Sequence, residues 1–219
     1  MKKPFLFLAL SLAAFQCSFA DWVVVQKATT DGQVQEVSIK IKGDKTRMDV
    51  GQQMTVIADG ASANITMLMH AQKMMMKMDP ESIKGVLAAA SAATGANGQP
   101  PAKPEATGQK EKVGEYDCEI FTWKGQLGSG KFWVAKDFPG YKELNESQDK
   151  LAKAMGNPAA ALTPQATDFP GMVIKSEIQM MGKTSVSELV SAKEEAVADS
   201  AFALPTDYQE MKMPAVPGK

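Results

Sequence analysis

The sequence predicts an α+β protein: a long, curved antiparallel β-sheet with two helices. Three observations carry this. Apolar and polar residues alternate at period two through most of the chain, as in strands with one wet face. Short turns rich in Gly, Asp and Asn separate these runs. Helical signals occur in only two places, so a parallel sheet with a helix after each strand is disfavoured.

The elements follow in order. Lys2 and Lys3, the apolar stretch from Pro4 to Phe15 and Ser18-Phe19-Ala20 read as a secretory signal peptide cut after Ala20. Its apolar core is too short for a transmembrane span, which needs about 20 residues. Residues 21–219 suit a single domain. "DWVVVQKA" opens it with β-branched residues. Val37, Ile39 and Ile41 alternate with polar neighbours, Gly43-Asp44-Lys45 turns, and Thr46 to Val50 returns. Residues 54–59, 64–69 and 74–78 read as three more strands, turned at 60–63 and 70–73.

Asp79-Pro80-Glu81 signals a helix start, with an acidic N-cap and proline at the first helical position. An Ala-rich helix follows. Residues 95–112 hold little to bury and read as a mobile linker. "EYDCEIFTWKG" places Tyr116, Cys118 and Ile120 on one strand face, with Asp117 and Glu119 opposite. "GKFWVAKD" pairs with it. Residues 140–155 form the second helix, with Leu144, Leu151 and Met155 on one stripe. A loop spans 156–170. Met172 to Met180 and Thr184 to Ala192 make the last hairpin, and a proline-bearing extended tail ends the chain.

Composition excludes several functions. The formal net charge is −1, and Arg47 is the only arginine, so no basic patch for nucleic acid is present. Cys118 is the only cysteine after the leader. An internal disulfide and a Cys-rich zinc site are ruled out, which leaves a buried apolar residue or an intermolecular disulfide. "GQLGSGK" fails the P-loop spacing, and no cofactor motif occurs. Arg47 and Asp49 share a strand face and read as structural, each in a surface pair with the other or with a neighbour, contributing about 0–1 kcal/mol.

Four stretches taken in order, "IKIKGDKTRMDV", "ITMLMHAQKMMMKM", "VGEYDCEIFTWKG…GKFWVAKD" and "FPGMVIKSEIQ…FALPTDYQEMKMP", resemble an uncharacterised family of secreted bacterial proteins, the domain-of-unknown-function family DUF4412. The resemblance covers about residues 37–213. That family is similar in layout to the LolA/LolB-like lipoprotein-carrier fold, whose half-open barrel holds acyl chains. The resemblance implies such a half-open barrel, with the two helices on its concave side or mouth, and an apolar binding manner. It implies no catalytic residue.

"MLMHAQKMMMKMD", residues 67–79, holds six methionines and His70, the only histidine. Thioethers and imidazole suit copper, so a soft-metal periplasmic protein using residues 67–78 is one reading. The stronger reading treats the stretch as an apolar face. Ile65, Met67 and Met69 line one side of a strand. Met74, Met76 and Met78 line one side of its return, and a turn at 70–73 can bring both sets together. Methionine is flexible, so such a face suits either core packing or varied apolar ligands. Asp117 and Glu119 read as a solvated pair, and His70 has no nucleophile at motif spacing, so an enzyme is not expected. The sequence therefore predicts a periplasmic or secreted, non-catalytic binding protein for a hydrophobic small molecule or acyl chain. The alternatives are the copper protein and an envelope interaction protein without a small ligand.

Overall fold

The computed structural model describes residues 21–85, 102–125, 128–154, 163–180 and 182–211. The leader at 1–20, the Ala-rich run beyond residue 85 and Met155 lie outside the described residues.

The described strands are β1 (Trp22–Thr30), β2 (Gln33–Lys42), β3 (Lys45–Val50), β4 (Met54–Asp59), β5 (Asn64–Met69), β6 (Met74–Met78), β7 (Glu105–Val113), β8 (Tyr116–Lys124), β9 (Gly128–Ala135), β10 (Met172–Met180), β11 (Lys183–Glu194) and β12 (Gln209–Met211). They form one sheet in the order β12-β6-β5-β4-β3-β2-β1-β11-β10-β9-β8-β7. Among the described residues β12 and β7 are its unpaired edges, so the sheet does not close. Residues 80–85 are helical, α1, as the Asp-Pro-Glu signal predicts, and α2 spans Tyr141–Ala154.

Turn chemistry sets the registers. Asp31 and Gly32 both hold positive φ, 51° and 80°, between β1 and β2. This is the conformation a two-residue hairpin loop requires, and Asp-Gly reaches it at low cost. Lys42 pairs with Lys45 across the two-residue turn Gly43-Asp44, in which Gly43 holds positive φ, 53°. The β4–β5 and β5–β6 turns close with Ala63 and Lys73 at positive φ.

Helix α2 lies across the sheet. Leu144 belongs to a cluster with Trp22, Val24, Ile39, Ile120 and Ile174. Leu151 belongs to a second cluster with Val56, Ile65, Met78 and Ile83. Burying two leucines contributes about 1.5–3 kcal/mol each. Gly140 precedes the helix with φ +69°, and a Cβ there would come within 2.6 Å of the Trp22 ring. Glycine is required on both counts. Buried polar groups also tie the helix down. Asn145 Nδ2 donates to the carbonyls of Ala166 and Gly171. The Asp149 carboxylate accepts from the Ala166 and Thr167 amides and the Thr167 hydroxyl.

Two expectations are corrected. Residues 105–112 are not linker but lie in β7, paired with β8. Their polar composition fits an edge strand with nearly every residue exposed. The tail is not merely extended. Residues 199–202 form a 3₁₀ turn, and β12 adds to β6 as a parallel strand. Pro205 falls outside β12, so it does not oppose it.

Candidate functional site

The hairpin registers align the inner residues of β1–β6 into three rows, each crossing all six strands. The first is Trp22, Ile41, Thr46, Ala58, Ile65 and Met78. The second is Val24, Ile39, Met48, Val56, Met67 and Met76. The third is Gln26, Val37, Val50, Met54, Met69 and Met74. The six residues singled out from sequence therefore share one face, as Ile65–Met78, Met67–Met76 and Met69–Met74 pairs.

Burial along this face is graded. Every member of the first row is buried, with Ile65 fully so beneath Ile83 and Leu151. In the second row the β-branched residues are buried and the three methionines are half-exposed. Every member of the third row is half-exposed. Ile65 and Met78 are thus core, while Met67, Met69, Met74 and Met76 remain partly accessible. Neither row two nor row three carries a charge. Met48 and Met54 belong to this surface too. Sequence reasoning missed them because they sit on neighbouring hairpins; their signal was placement either side of the 51–53 turn.

The face continues past Gln26, which pairs on its other side with Leu189 of β11. There a cavity of about 180 Å³ opens between β10, β11, α2 and residues 164–169. A wider groove of about 620 Å³ lies at the β8–β10 end. Its walls carry Lys103, Glu105, Lys124, Lys131 and Glu177, so it is not the apolar surface sought.

The opposite face of β3–β6 is built differently. Ile57, Leu68 and Met75 pack against Val197 and Phe202 of the C-terminal segment. Beside them runs a hydrogen-bonded chain. Arg47 grips Asp49 through Nε at 2.9 Å to both carboxylate oxygens and donates from Nη1 to the Ala201 carbonyl at 2.8 Å. Thr55, fully buried, donates to Asp49 at 2.5 Å. Its oxygen then meets His70 Nε2 at 2.9 Å, and His70 Nδ1 meets the Tyr208 hydroxyl at 2.7 Å. Because the Thr55 proton goes to Asp49, Nε2 is the donor nitrogen and Tyr208 donates to Nδ1. Burial works against the Asp49 charge, but hydrogen bonds from Arg47 and Thr55 and the Arg47 charge outweigh it and hold the carboxyl below its ordinary pKa.

Two expectations change here. The Arg47–Asp49 pair is three-quarters buried and anchors the C-terminal segment, so it is no surface pair. His70 points away from the methionine rows with both ring nitrogens engaged, so it does not join Met67 and Met69 in a mixed metal site. Among the described residues no group of three His, Cys, Asp or Glu is placed to hold a metal ion. Cys118 is 2% exposed, and burial pushes its thiol pKa up. It cannot reach another chain from this position.

Fold and face together define an unclosed, curved antiparallel sheet with a charge-free apolar inner surface. The model of the domain of unknown function DUF4412 matches residues 23–208, and the chain belongs to that family. No curated protein matches the sequence. Among solved structures the chain is similar to PNGF-II at 12% identity and a TM-score of 0.44, covering 89% of this chain and 32% of that one. It thus spans about a third of PNGF-II. It is similar to the Mycobacterium tuberculosis lipoprotein LppX at 10% identity and a TM-score of 0.42, covering 81% and 89% of the two chains. For the LolA superfamily protein NE2245 from Nitrosomonas europaea the identity is 9% and the TM-score 0.34, with 86% and 92% covered. No helix among the described residues is long and apolar enough to cross a membrane.

Proposed function

We propose that this protein is an exported, non-catalytic binding protein that holds a hydrophobic guest, an acyl chain or similar molecule, on its methionine rows. The observation that carries this is the graded burial: one face passes from sealed core to half-exposed methionine without meeting a charge. Each Å² of that surface taken from water contributes about 25 cal/mol. Six strands at about 4.8 Å spacing give the rows a run of about 24 Å from β1 to β6, the scale of an extended acyl chain. Methionine adapts to a guest without a fixed shape.

A non-catalytic role is supported by the two groups best suited to chemistry. His70 spends both ring nitrogens on the fold, and the Cys118 thiol is buried. Export rests on Lys2-Lys3, the apolar Pro4 to Phe15 and Ser18-Phe19-Ala20.

Native mass spectrometry of protein purified from its own host tests the reading. The expected spectrum shows a first residue of Asp21 and an added mass that passes into organic solvent. A bare protein that also fails to take up acyl lipid would overturn the binding role. A chain retaining residues 1–20 would overturn export by this leader.

A further inference from the structure

We infer that β12 is a strap that completes the guest face: it adds Met211 to the second row, and ion pairs outside the rows hold it there. The inference rests on the proposed binding of an apolar guest and adds the segment that governs how tightly the guest is held.

The register places Met211. β12 runs parallel to β6, with Gln209 opposite Met74, Glu210 opposite Met75 and Met211 opposite Met76. Partners across a ladder share a face of the sheet, because side chains alternate along each strand. Met211 therefore stands beside Met76 and carries the second row onto a seventh strand. It is half-exposed, like the other methionines of that row. Gln209 extends the third row in the same way and brings no charge. Glu210 falls on the outer face, where its carboxylate meets Lys77 Nζ at 2.7 Å.

The attachment of β12 is slight. The strand is three residues long and pairs on one side only. The Gln209 amide donates to the Lys73 carbonyl at 2.9 Å. Lys73 Nζ lies 2.9 Å from the Asp207 carboxylate, and Tyr208 bonds His70 between the two ion pairs. Both ion pairs are about half-exposed or more, and such pairs are individually weak. A short edge strand fastened in this way opens at low cost. Opening takes Met211 off the row and bares the edge of β6. A guest on the second row meets Met211 only while β12 is docked. Guest and strap therefore stabilise each other, and linkage makes the two effects equal.

Displacement of N-phenyl-1-naphthylamine from the full chain by monopalmitoylglycerol, an uncharged acyl lipid, tests this together with hydrogen exchange at residues 207–211. Lys73→Glu/Lys77→Glu sets like charges against Asp207 and Glu210 and alters no residue of the rows. It should speed exchange at 207–211 and weaken the lipid about fivefold, the scale on which exposed pairs act. Combining it with Asp207→Lys/Glu210→Lys restores opposite charges and should return both readings to within about twofold of wild type. Asp207→Lys/Glu210→Lys alone should behave like the first variant and serves if that one fails to fold. Met211→Ala, with both ion pairs intact, should weaken the lipid about threefold through lost apolar contact. In the wild type, saturating lipid should slow exchange at 207–211. Exchange there that ignores the charge reversal or the lipid, a lipid affinity that survives a loosened strap, or a swap that restores nothing would overturn the strap and leave the apolar-face reading standing. If neither probe nor lipid binds, both fall.

Discussion

The two faces of β3–β6 come from alternate residues of the same strands, yet they are closed by different means. The outer face joins apolar packing against Val197 and Phe202 to specific partners: Arg47, Asp49, Thr55, His70 and Tyr208 link side chain to side chain and pin the C-terminal segment. The inner face is closed by shape alone, completely under α1 and α2 and only half at its methionines. A hydrogen-bonded face has one good arrangement. A methionine face has many of similar energy, which suits a surface that must accept and release a guest. Rigidity on one side lets the other side stay adaptable.

The largest expected effect separates core from guest surface within the inner face. Ile65→Ala should cost about 3 kcal/mol in urea unfolding, because it empties a fully buried site. Met67→Ala, two residues along but half-exposed, should cost less than about 1.5 kcal/mol. Equal losses would erase the distinction between sealed and open rows.

Next comes the outer face. Asp49→Ala leaves Arg47 and Thr55 without their acceptor and should cost about 2 kcal/mol, less than for a fully buried pair. The same group makes the wild type acid-sensitive. Its folded pKa lies below the unfolded value, so its contribution is complete above about pH 4 and fades as pH falls through the folded pKa. The Asp49→Ala variant should lack this component, seen as a flatter midpoint-against-pH curve below pH 4.

Tyr208→Phe removes one hydrogen bond to His70 and should cost about 1 kcal/mol. Hydrogen exchange should speed up in residues 195–208 before β1–β5 respond, since the His70–Tyr208 bond is one of the anchors of that segment. Smallest of all, Cys118 should stay unmodified by a thiol reagent until the chain unfolds, given its burial and raised pKa.

Local patterning made much of this legible. Strands β4, β5 and β6 fall at 54–59, 64–69 and 74–78 because short turns and period-two alternation leave one register that buries the apolar face. The six-residue methionine and isoleucine set follows from the same rule. What was not legible depends on long-range partners. β7 is polar because it is an edge, and only β8 reveals it as a strand. His70 and Tyr208 lie 138 residues apart, so no spacing could join them. Asn145 and Asp149 look like surface helix positions until the 163–171 segment covers them. The 180 Å³ cavity is likewise assembled from distant segments.

The most direct measurement follows methionine methyl groups by NMR in selectively ¹³C-labelled protein while monopalmitoylglycerol is added. The account predicts that the methyls of Met48, Met54, Met67, Met69, Met74 and Met76 shift and saturate together. Met75, on the outer face against Phe202, and buried Met172 should stay still. No shift at saturating lipid, or a Met75 shift as large as that of Met76, would contradict it.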